Sequence, residues 1–224
     1  VRSMISRHPD PELLVEYVSG GLSIAPTISI TAHLQFCNEC HLLSTSLGEI
    51  GGQMLESTEP TPVSEVLLEN VLSRLDTMTV EDDAVPARQT AHLDEVTSSL
   101  PVFVRQFLPA KGLRWRFLSP SLKTAPISVG EDVHELALHR IKAGGKAPEH
   151  NHRGQEITLV LKGSFSDEDG VYHPGDFMVR EAGEIHRPFA TRDGECTCLS
   201  ELEAPIELTG IKRVLSPFLS FNPS

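Results

Sequence analysis

Four side chains of metal-binding type stand close together in the second half of the chain. His150, His152 and Glu156 are separated by two and then four residues, and His186 follows thirty residues later. On an extended chain, side chains two residues apart share a face, so the first three are expected to point the same way. The spacing predicts a metal site. Three imidazoles and one carboxylate suit zinc, iron or manganese and leave a coordination position open for water or a small ligand.

A second group of metal-binding type lies near the N-terminus. His33, Cys37 and Cys40 stand at positions i, i+4 and i+7, which share one face of a helix. One imidazole and two thiolates favour tetrahedral zinc, and His8 is the natural fourth ligand. Two thiolates would balance the charge of the zinc ion, which favours a closed structural site. The alternative is a buried helix face with two ordinary cysteines.

The residues around the N-terminal group have the periodicity of helices. Asp10-Pro11-Glu12 is a helix start, followed by an apolar stripe that stops at Gly20-Gly21. A second helix is predicted from about Pro26 to Leu47, ending near glycines, and a third from about Pro62 to Met78. Glu81–Pro86 begins a predicted interdomain linker, and a short amphipathic helix is expected around His92 to Leu108.

From Leu113 onward the sequence changes to short strands separated by Gly, Pro and Asp turns. Many short strands at regular spacing favour a sandwich or jelly-roll barrel. We therefore expect two domains of different class, one helical and one β. The predicted strands are Arg114–Phe117, Ala125–Val129, His134–Ile141, Ile157–Leu161, Ser164–Asp167, Asp176–Val179, Thr197–Glu203 and Thr209–Val214.

The chain carries a net charge of −12, concentrated in its first part. Through Arg88 there are 4 Lys and Arg against 13 Asp and Glu, and the remainder has 15 against 18. An acidic half would repel duplex nucleic acid, so direct DNA binding is disfavoured and a basic protein partner is favoured. A solvated surface kept soluble by its charge explains the balance equally well. With no apolar run of membrane-spanning length and no secretory signal at Val1–His8, a cytoplasmic protein is expected.

The N-terminal motif resembles the zinc-binding anti-sigma domain. His8, followed by His33-x3-Cys37-x2-Cys40 in a short helical region, matches all four ligand positions of that family, over roughly residues 5 to 80. The resemblance implies zinc at these residues and helices that clamp an extracytoplasmic-function sigma factor.

The C-terminal motif resembles the cupins, which implies a small barrel. Gly144, His150-x-His152, Glu156 and Gly163 fit the first cupin motif without departure. The second motif keeps Gly175, Gly183 and His186, whereas Glu181 and Ala190 replace its usual Pro and Asn. The retained histidine supports the metal, and the replacements affect the expected shape of the loop.

Together the two halves are similar to the ChrR-type anti-sigma factors. In that family the helical domain inhibits the sigma factor, and the cupin is required for release under singlet oxygen or organic peroxide stress. The implied division is a helical zinc-binding domain over 1–88, a linker with a short helix over 89–110, and a cupin domain over 111–224. The expected partner is the sigma factor, with a small molecule or oxidant acting at the cupin and no membrane or direct nucleic-acid partner.

Two alternatives remain open at this point. A cupin metalloenzyme, such as a dioxygenase or isomerase with a zinc-stapled helical appendage, would use the same ligands. No additional acid–base constellation is readable beside them, so no catalytic residue is assigned and a non-enzyme is expected. Cys196 and Cys198 lie two apart on a predicted strand, and they are either redox-sensitive thiols near the cupin metal or inert core residues.

Overall fold

The structure, a computed structural model, describes residues 5–77, 97–98, 100–109, 112–210, 221 and 223. Helices occupy the first part of the described chain and strands the rest. The helices are α1 (Pro11–Ser19), α2 (Ile24–Leu34), α3 (Asn38–Glu56), α4 (Glu65–Thr77) and α5 (Val102–Arg105). The strands are β1 (Arg116–Ser119), β2 (Leu122–Ile127), β3 (Glu135–Ile141), β4 (His150–Asn151), β5 (Glu156–Lys162), β6 (Phe165–Asp167), β7 (Gly170–Tyr172), β8 (Phe177–Arg180), β9 (Ile185–His186), β10 (Phe189–Ala190), β11 (Cys196–Leu202) and β12 (Glu207–Leu208).

Helix α1 begins and ends close to its predicted positions. Pro11 occupies the first turn, and Gly20 closes the C-terminus with a φ of 73°, a conformation that glycine adopts without strain. Asp10 stands at the N-cap, but its side chain makes no capping hydrogen bond. The proline and the glycine therefore account for the bounds of this helix.

The prediction of one continuous helix from Pro26 to Leu47 is wrong. Helix α2 ends at Leu34, and α3 begins at Asn38 after Cys37 adopts an extended conformation with φ −108° and ψ 105°. The Cys37 sulfur accepts a hydrogen bond from the Cys40 amide, so a thiol serves as the N-cap of α3. Helix α3 then continues through the glycines expected to end it, because each interior glycine costs only about 1 kcal/mol.

The strands form three antiparallel sheets. The largest has six strands in the order β1-β2-β3-β11-β5-β8, and two three-stranded sheets have the orders β10-β6-β7 and β12-β4-β9. The predicted helical region followed by a cupin-like β-sandwich is therefore confirmed.

The central strands of the six-stranded sheet, β3, β11 and β5, are buried on both faces. Along β5, Ile157 and Leu159 join an apolar core shared with the helices, whereas Val160 belongs to a second core inside the barrel. Strand β11 alternates in the same way, with Leu199 towards the helices and Cys198 towards the interior. The helical and β parts are thus packed on one another through a common core.

Helix α2 is the element that joins these two parts. It packs on β5, β11 and α5, and seven of its residues are buried. Its first free amides, those of Ile24 and Ala25, donate to the carboxylate of Glu131 at 2.9 and 3.2 Å. A β-half carboxylate therefore caps the N-terminus of the central helix.

Several predicted strands agree with the structure. The expectation that His150, His152 and Glu156 share one extended segment is wrong. His150 lies in β4 and Glu156 begins β5, with a turn between them, so the motif is not one extended segment. The short strands β4, β7, β9, β10 and β12 were not predicted, and Thr209 and Gly210 of the last predicted strand follow β12 outside any strand. The linker start at 81–86, residues 92–96 of the predicted short helix and residues 211–214 of the last predicted strand lie outside the described residues.

Among the described helices, none taken singly has the length and apolar character needed to cross a bilayer. Only α1 and α2 together pass that test, as a pair bent by 112°.

Two candidate metal centres

The N-terminal group is brought together by three different elements. His8 precedes α1, His33 lies in the last turn of α2, and Cys37 and Cys40 begin α3. Their ligand atoms all lie within 4.8 Å of one another. The two sulfurs are 3.4 and 3.3 Å from Nδ1 of His8. The break between α2 and α3 turns Cys37 and Cys40 towards His33 at the end of α2. The cluster therefore forms at this break, and not along one face of a continuous helix as predicted.

The imidazole of His33 is oriented by the β part of the molecule. Its Nδ1 lies 2.8 Å from the carbonyl oxygen of Gly175, which can only accept, so Nδ1 carries the proton. Its Nε2 is buried and has no hydrogen-bond partner within the described structure. That nitrogen therefore presents a free lone pair to the cluster, as expected of a metal ligand with an outer hydrogen bond.

Protonation in the N-terminal group also fits a cation. Burial lowers the pKa of His33 to about 4, so its imidazole is neutral at physiological pH. Burial, together with contact with Cys37, raises the pKa of the Cys40 thiol to about 12. A thiolate here requires a positive charge, and two nitrogens with two sulfurs form the donor set that tetrahedral zinc prefers.

The C-terminal group lies inside the barrel, where its four side chains are buried. His150 and His186 face each other across the β4–β9 pair, with their Nε2 atoms 3.0 Å apart. Oε2 of Glu156 lies 3.4 Å from Nε2 of His152 and 3.6 Å from Nε2 of His186. All four ligand atoms lie within 4.8 Å of one another.

The protonation of the barrel group again favours a cation. Burial lowers the pKa of His150 to about 4 and that of His152 to about 3, while burial raises the pKa of Glu156. Nδ1 of His150 donates to the carbonyl of Pro148 at 2.8 Å, which turns Nε2 towards the cluster. Oε2 of Glu156 has no hydrogen-bond donor among the described residues. The lone pairs of the imidazole nitrogens and of Oε2 of Glu156 thus point at one another with no described hydrogen-bond donor between them, and a divalent metal fits this arrangement.

A set of charged residues supports His186 from behind. Oδ2 of Asp167 lies 3.5 Å from Nδ1 of His186, and Arg180 binds Asp167 at 2.7 Å and Asp169 at 2.6 Å. Burial alone would raise the pKa of Asp167, but contacts with His186, Tyr172 and Arg180 hold it well below its usual range. Asp167 is therefore a carboxylate that can fix the orientation of the His186 ring.

An apolar cavity of about 120 Å³ reaches the barrel group. His150, Glu156 and His186 lie on its wall, and most of the remaining lining is apolar. Cavities of this size hold a single small organic molecule. The barrel group is therefore accessible to a small ligand, whereas Cys37 and Cys40 of the N-terminal group are part of the packed core.

The structure thus brings the eight predicted residues into two groups of four. Sequence reasoning missed the supporting groups Gly175, Asp167 and Arg180. From the sequence, Gly175 was placed only in the second cupin motif, whereas its carbonyl also holds His33. A backbone carbonyl has no side-chain signature, so no sequence signal could have identified this contact.

Comparison with known proteins gives three related findings. Residues 105–204 match the family described as the ChrR Cupin-like domain. The chain is 32% identical over 215 residues to the anti-sigma-E factor ChrR of Cereibacter sphaeroides, covering 96% of this chain and 98% of that protein. It is also similar to a crystal structure of Rhodobacter sphaeroides SigE in complex with the anti-sigma ChrR. That match has a TM-score of 0.72 and 30% identity, and it covers 89% of this chain and 99% of the other.

Proposed function

This chain belongs to the family of the anti-sigma factor ChrR, and we propose that it sequesters an extracytoplasmic-function sigma factor and blocks that factor's binding to core RNA polymerase. The protein acts by binding and not by catalysis. Release of the sigma factor follows oxidative stress, from singlet oxygen or an organic peroxide, through the metal-binding cupin domain.

The observation that carries this proposal is the exposed apolar surface of α3 and α4. On α4, Leu68, Leu72 and Leu75 are 66%, 50% and 58% exposed, and no described element packs extensively against this helix. On α3, Met54 and Leu55 are 66% and 72% exposed. An isolated helix of this length is marginal in water, so a partner that covers the apolar stripe would stabilise it. Large apolar patches on a soluble protein mark interaction sites.

The charge of this region suits a basic partner surface. Glu39, Glu49 and Glu56 lie on α3 and Glu69 lies on α4, the two helices that carry the exposed apolar residues. Acidic side chains on these helices would steer a basic partner and contribute specificity more than affinity. They also oppose direct binding to the nucleic-acid backbone.

We assign zinc to His8, His33, Cys37 and Cys40 as a structural ion. The four donors come from the N-terminal segment, the end of α2 and the start of α3, so one ion would hold three elements together. Zinc here would supply folding free energy and fix the angle at which α3 leaves α2.

We assign a divalent metal, zinc or another such as iron or manganese, to His150, His152, Glu156 and His186. These residues would hold it with a coordination position facing the apolar cavity, where the metal could bind a small molecule. A signal at this site alters sigma binding only if it favours one of two states of the protein, the free or the complexed form. The cupin is then a sensor module attached to an inhibitor.

The division proposed for these roles is 1–88 for sigma binding, 89–110 as a linker with a short helix, and 111–224 as the cupin. Helix α2 buries one side on the β-sheet, and this contact is the physical route by which a cupin signal could reach the sigma-binding helices.

The test is co-expression of the full chain with the extracytoplasmic-function sigma factors of its organism, followed by co-purification. A one-to-one complex is expected with a cognate factor. Leu68→Asp should weaken it about 30-fold or more, because a charge would be buried in an apolar contact. Ser73→Asp is the matched control, since it adds the same charge on the opposite face of α4.

Failure of every sigma factor to bind, or equal effects of the two charge variants, would refute the proposal. A metalloenzyme in the cupin remains the second candidate because the cavity reaches the metal group. It predicts turnover of a small molecule that is lost in His152→Ala and kept in Leu68→Asp.

A further inference from the structure

The turn formed by Pro174, Gly175 and Asp176 lies against the N-terminal metal group, although it belongs to the cupin. Two separate contacts are made there. The first is the Gly175 carbonyl on Nδ1 of His33, already described. The second involves Asp176, whose carboxylate is fully buried.

Asp176 holds the segment that carries His8. Its Oδ1 accepts hydrogen bonds from the amides of Ser6 and Arg7 at 2.7 and 3.0 Å and lies 3.3 Å from the Ser6 hydroxyl. Its Oδ2 accepts from the amide of His173 at 2.7 Å. The amide of Phe177 in turn donates to the carbonyl of Arg7 at 3.1 Å. Residues 6 and 7, which directly precede the ligand His8, thus both donate hydrogen bonds to the turn and accept one from it.

The turn also fits closely against the helix break. Gly175 has a φ of +96°, and a Cβ atom there would lie 2.8 Å from Ile5 and 2.9 Å from Phe36. Phe36 directly precedes Cys37. The absence of a side chain at this position therefore lets the cupin turn approach both chain segments that carry N-terminal ligands.

We propose that the cupin turn at Gly175–Asp176 is the outer support of the N-terminal metal site, with Asp176 as a positioning residue that holds His8 in place for the ion. The two contacts act on different ligands, His33 and His8, from one turn. Residues that orient ligands in this way typically change metal affinity by about 10- to 100-fold when removed. The inference concerns retention of the metal, and it stands whether or not a sigma factor binds.

The same strand leads to the other metal group. Strand β8 begins directly after Asp176 and ends at Arg180, which binds Asp167 behind His186. One short strand therefore has a ligand-orienting contact next to each of its ends. This arrangement gives the cupin a physical means of acting on the N-terminal site.

The test uses the full chain loaded with cobalt(II), whose thiolate absorption arises only where the metal is bound by cysteine. The rate at which a chelator removes that absorption is compared for wild type, Asp176→Ala and Asp176→Asn. We expect release to be about 10-fold faster or more in the alanine variant and intermediate in the asparagine variant, which keeps one acceptor oxygen. Ser6→Pro removes two donors to Asp176, the amide and the hydroxyl of Ser6, and should also accelerate release. This second variant tests the proposal even if Asp176→Ala fails to fold.

Glu131→Gln is the matched control. It weakens another contact between a β-half carboxylate and backbone amides, but at the far end of α2 from the metal. It should lower the melting temperature while leaving the cobalt release rate within about twofold of wild type. Wild-type release in Asp176→Ala and Ser6→Pro, or acceleration in Glu131→Gln equal to theirs, would overturn the proposal.

Discussion

The two metal groups have the same number of donors and opposite surroundings. The N-terminal group joins segments that are separate in the chain, and its sulfurs lie in the shared core. The barrel group sits on short paired strands, and three of its members line an apolar cavity. A site enclosed by packing suits a structural ion, and a site beside a cavity suits a ligand. The proposed roles follow this difference, with a structural ion held by two imidazoles and two thiolates and a ligand-accessible metal held by three imidazoles and one carboxylate.

Removing one ligand from each group should separate these roles most strongly. Cys40→Ser is expected to lose the N-terminal metal and with it a binding free energy on the order of 10 kcal/mol, so helix content should fall. His152→Ala should lose only the barrel metal, because the surrounding strands keep their ladder hydrogen bonds. Metal analysis and far-ultraviolet circular dichroism measure both effects.

His41→Ala, an exposed neighbour of Cys40, is the control and should keep both metals. Equal loss of helix in the Cys40 and His152 variants would contradict the division between a structural and a ligand-accessible site.

Thiol reactivity should distinguish the same two regions. Cys196 and Cys198 are buried with their sulfurs 3.6 Å apart, and this contact and burial raise the pKa of Cys198 well above its ordinary value. Cys198 should resist alkylation near neutral pH because the thiolate is the reactive form, and burial shields the sulfur of Cys196 from the reagent. Chelation should instead expose Cys37 and Cys40, since the ion that holds their segment is removed.

Mass spectrometry after a timed pulse of iodoacetamide identifies the modified cysteines. Modification at Cys37 and Cys40 alone, and only with chelator, is expected. Earlier modification at Cys198 would favour redox-sensitive thiols over inert core residues.

A smaller effect, on the pH dependence of stability, is expected from Glu201 on β11, where the sheet packs against the helices. Glu201 is 2% exposed, and its Oε1 lies 3.5 Å from Nε2 of His134. Burial, with nearby Glu156, Glu131 and Glu203, raises the pKa of Glu201 to about 8. Because this folded-state pKa lies above the unfolded value, the stability it contributes is present at low pH and is lost as the pH rises through about 8.

Glu201→Gln removes that dependence. As the pH rises from about 6 to about 9, the free energy of unfolding of the variant should therefore increase relative to that of wild type by about 1 kcal/mol or more. Melting temperatures across this range test the sign. If the melting temperatures of variant and wild type differ by the same amount at every pH, or if wild type becomes relatively more stable at high pH, then Glu201 is ionised in the folded protein.

The comparison also shows what sequence could and could not predict. The spacing of His33, Cys37 and Cys40 was sufficient to identify a group, but the helix it was placed on is broken at Cys37. Local periodicity favoured a continuous helix there, whereas the extended backbone at Cys37 places the cysteines against His8 and His33. The four residues of the barrel group were likewise predicted to lie together without their strands, because β4 and β9 are too short to show alternation.

The supporting groups were harder to predict because they depend on tertiary structure. Gly175 acts through its carbonyl, and Asp176 accepts from two backbone amides that are 170 and 169 positions away in the chain. No local pattern encodes such pairs. The shared core of α2 and the sheet was also not expected, since the sequence predicted two domains joined by a linker.

The most direct test of the central claim is transcription in a purified system. Core RNA polymerase, the cognate sigma factor and a promoter it recognises are mixed with increasing amounts of the full chain. We predict that transcription falls to background near one chain per sigma factor, that Ser73→Asp behaves like wild type, and that Leu68→Asp requires a large excess. Full transcription at a tenfold excess of wild-type protein would contradict the account.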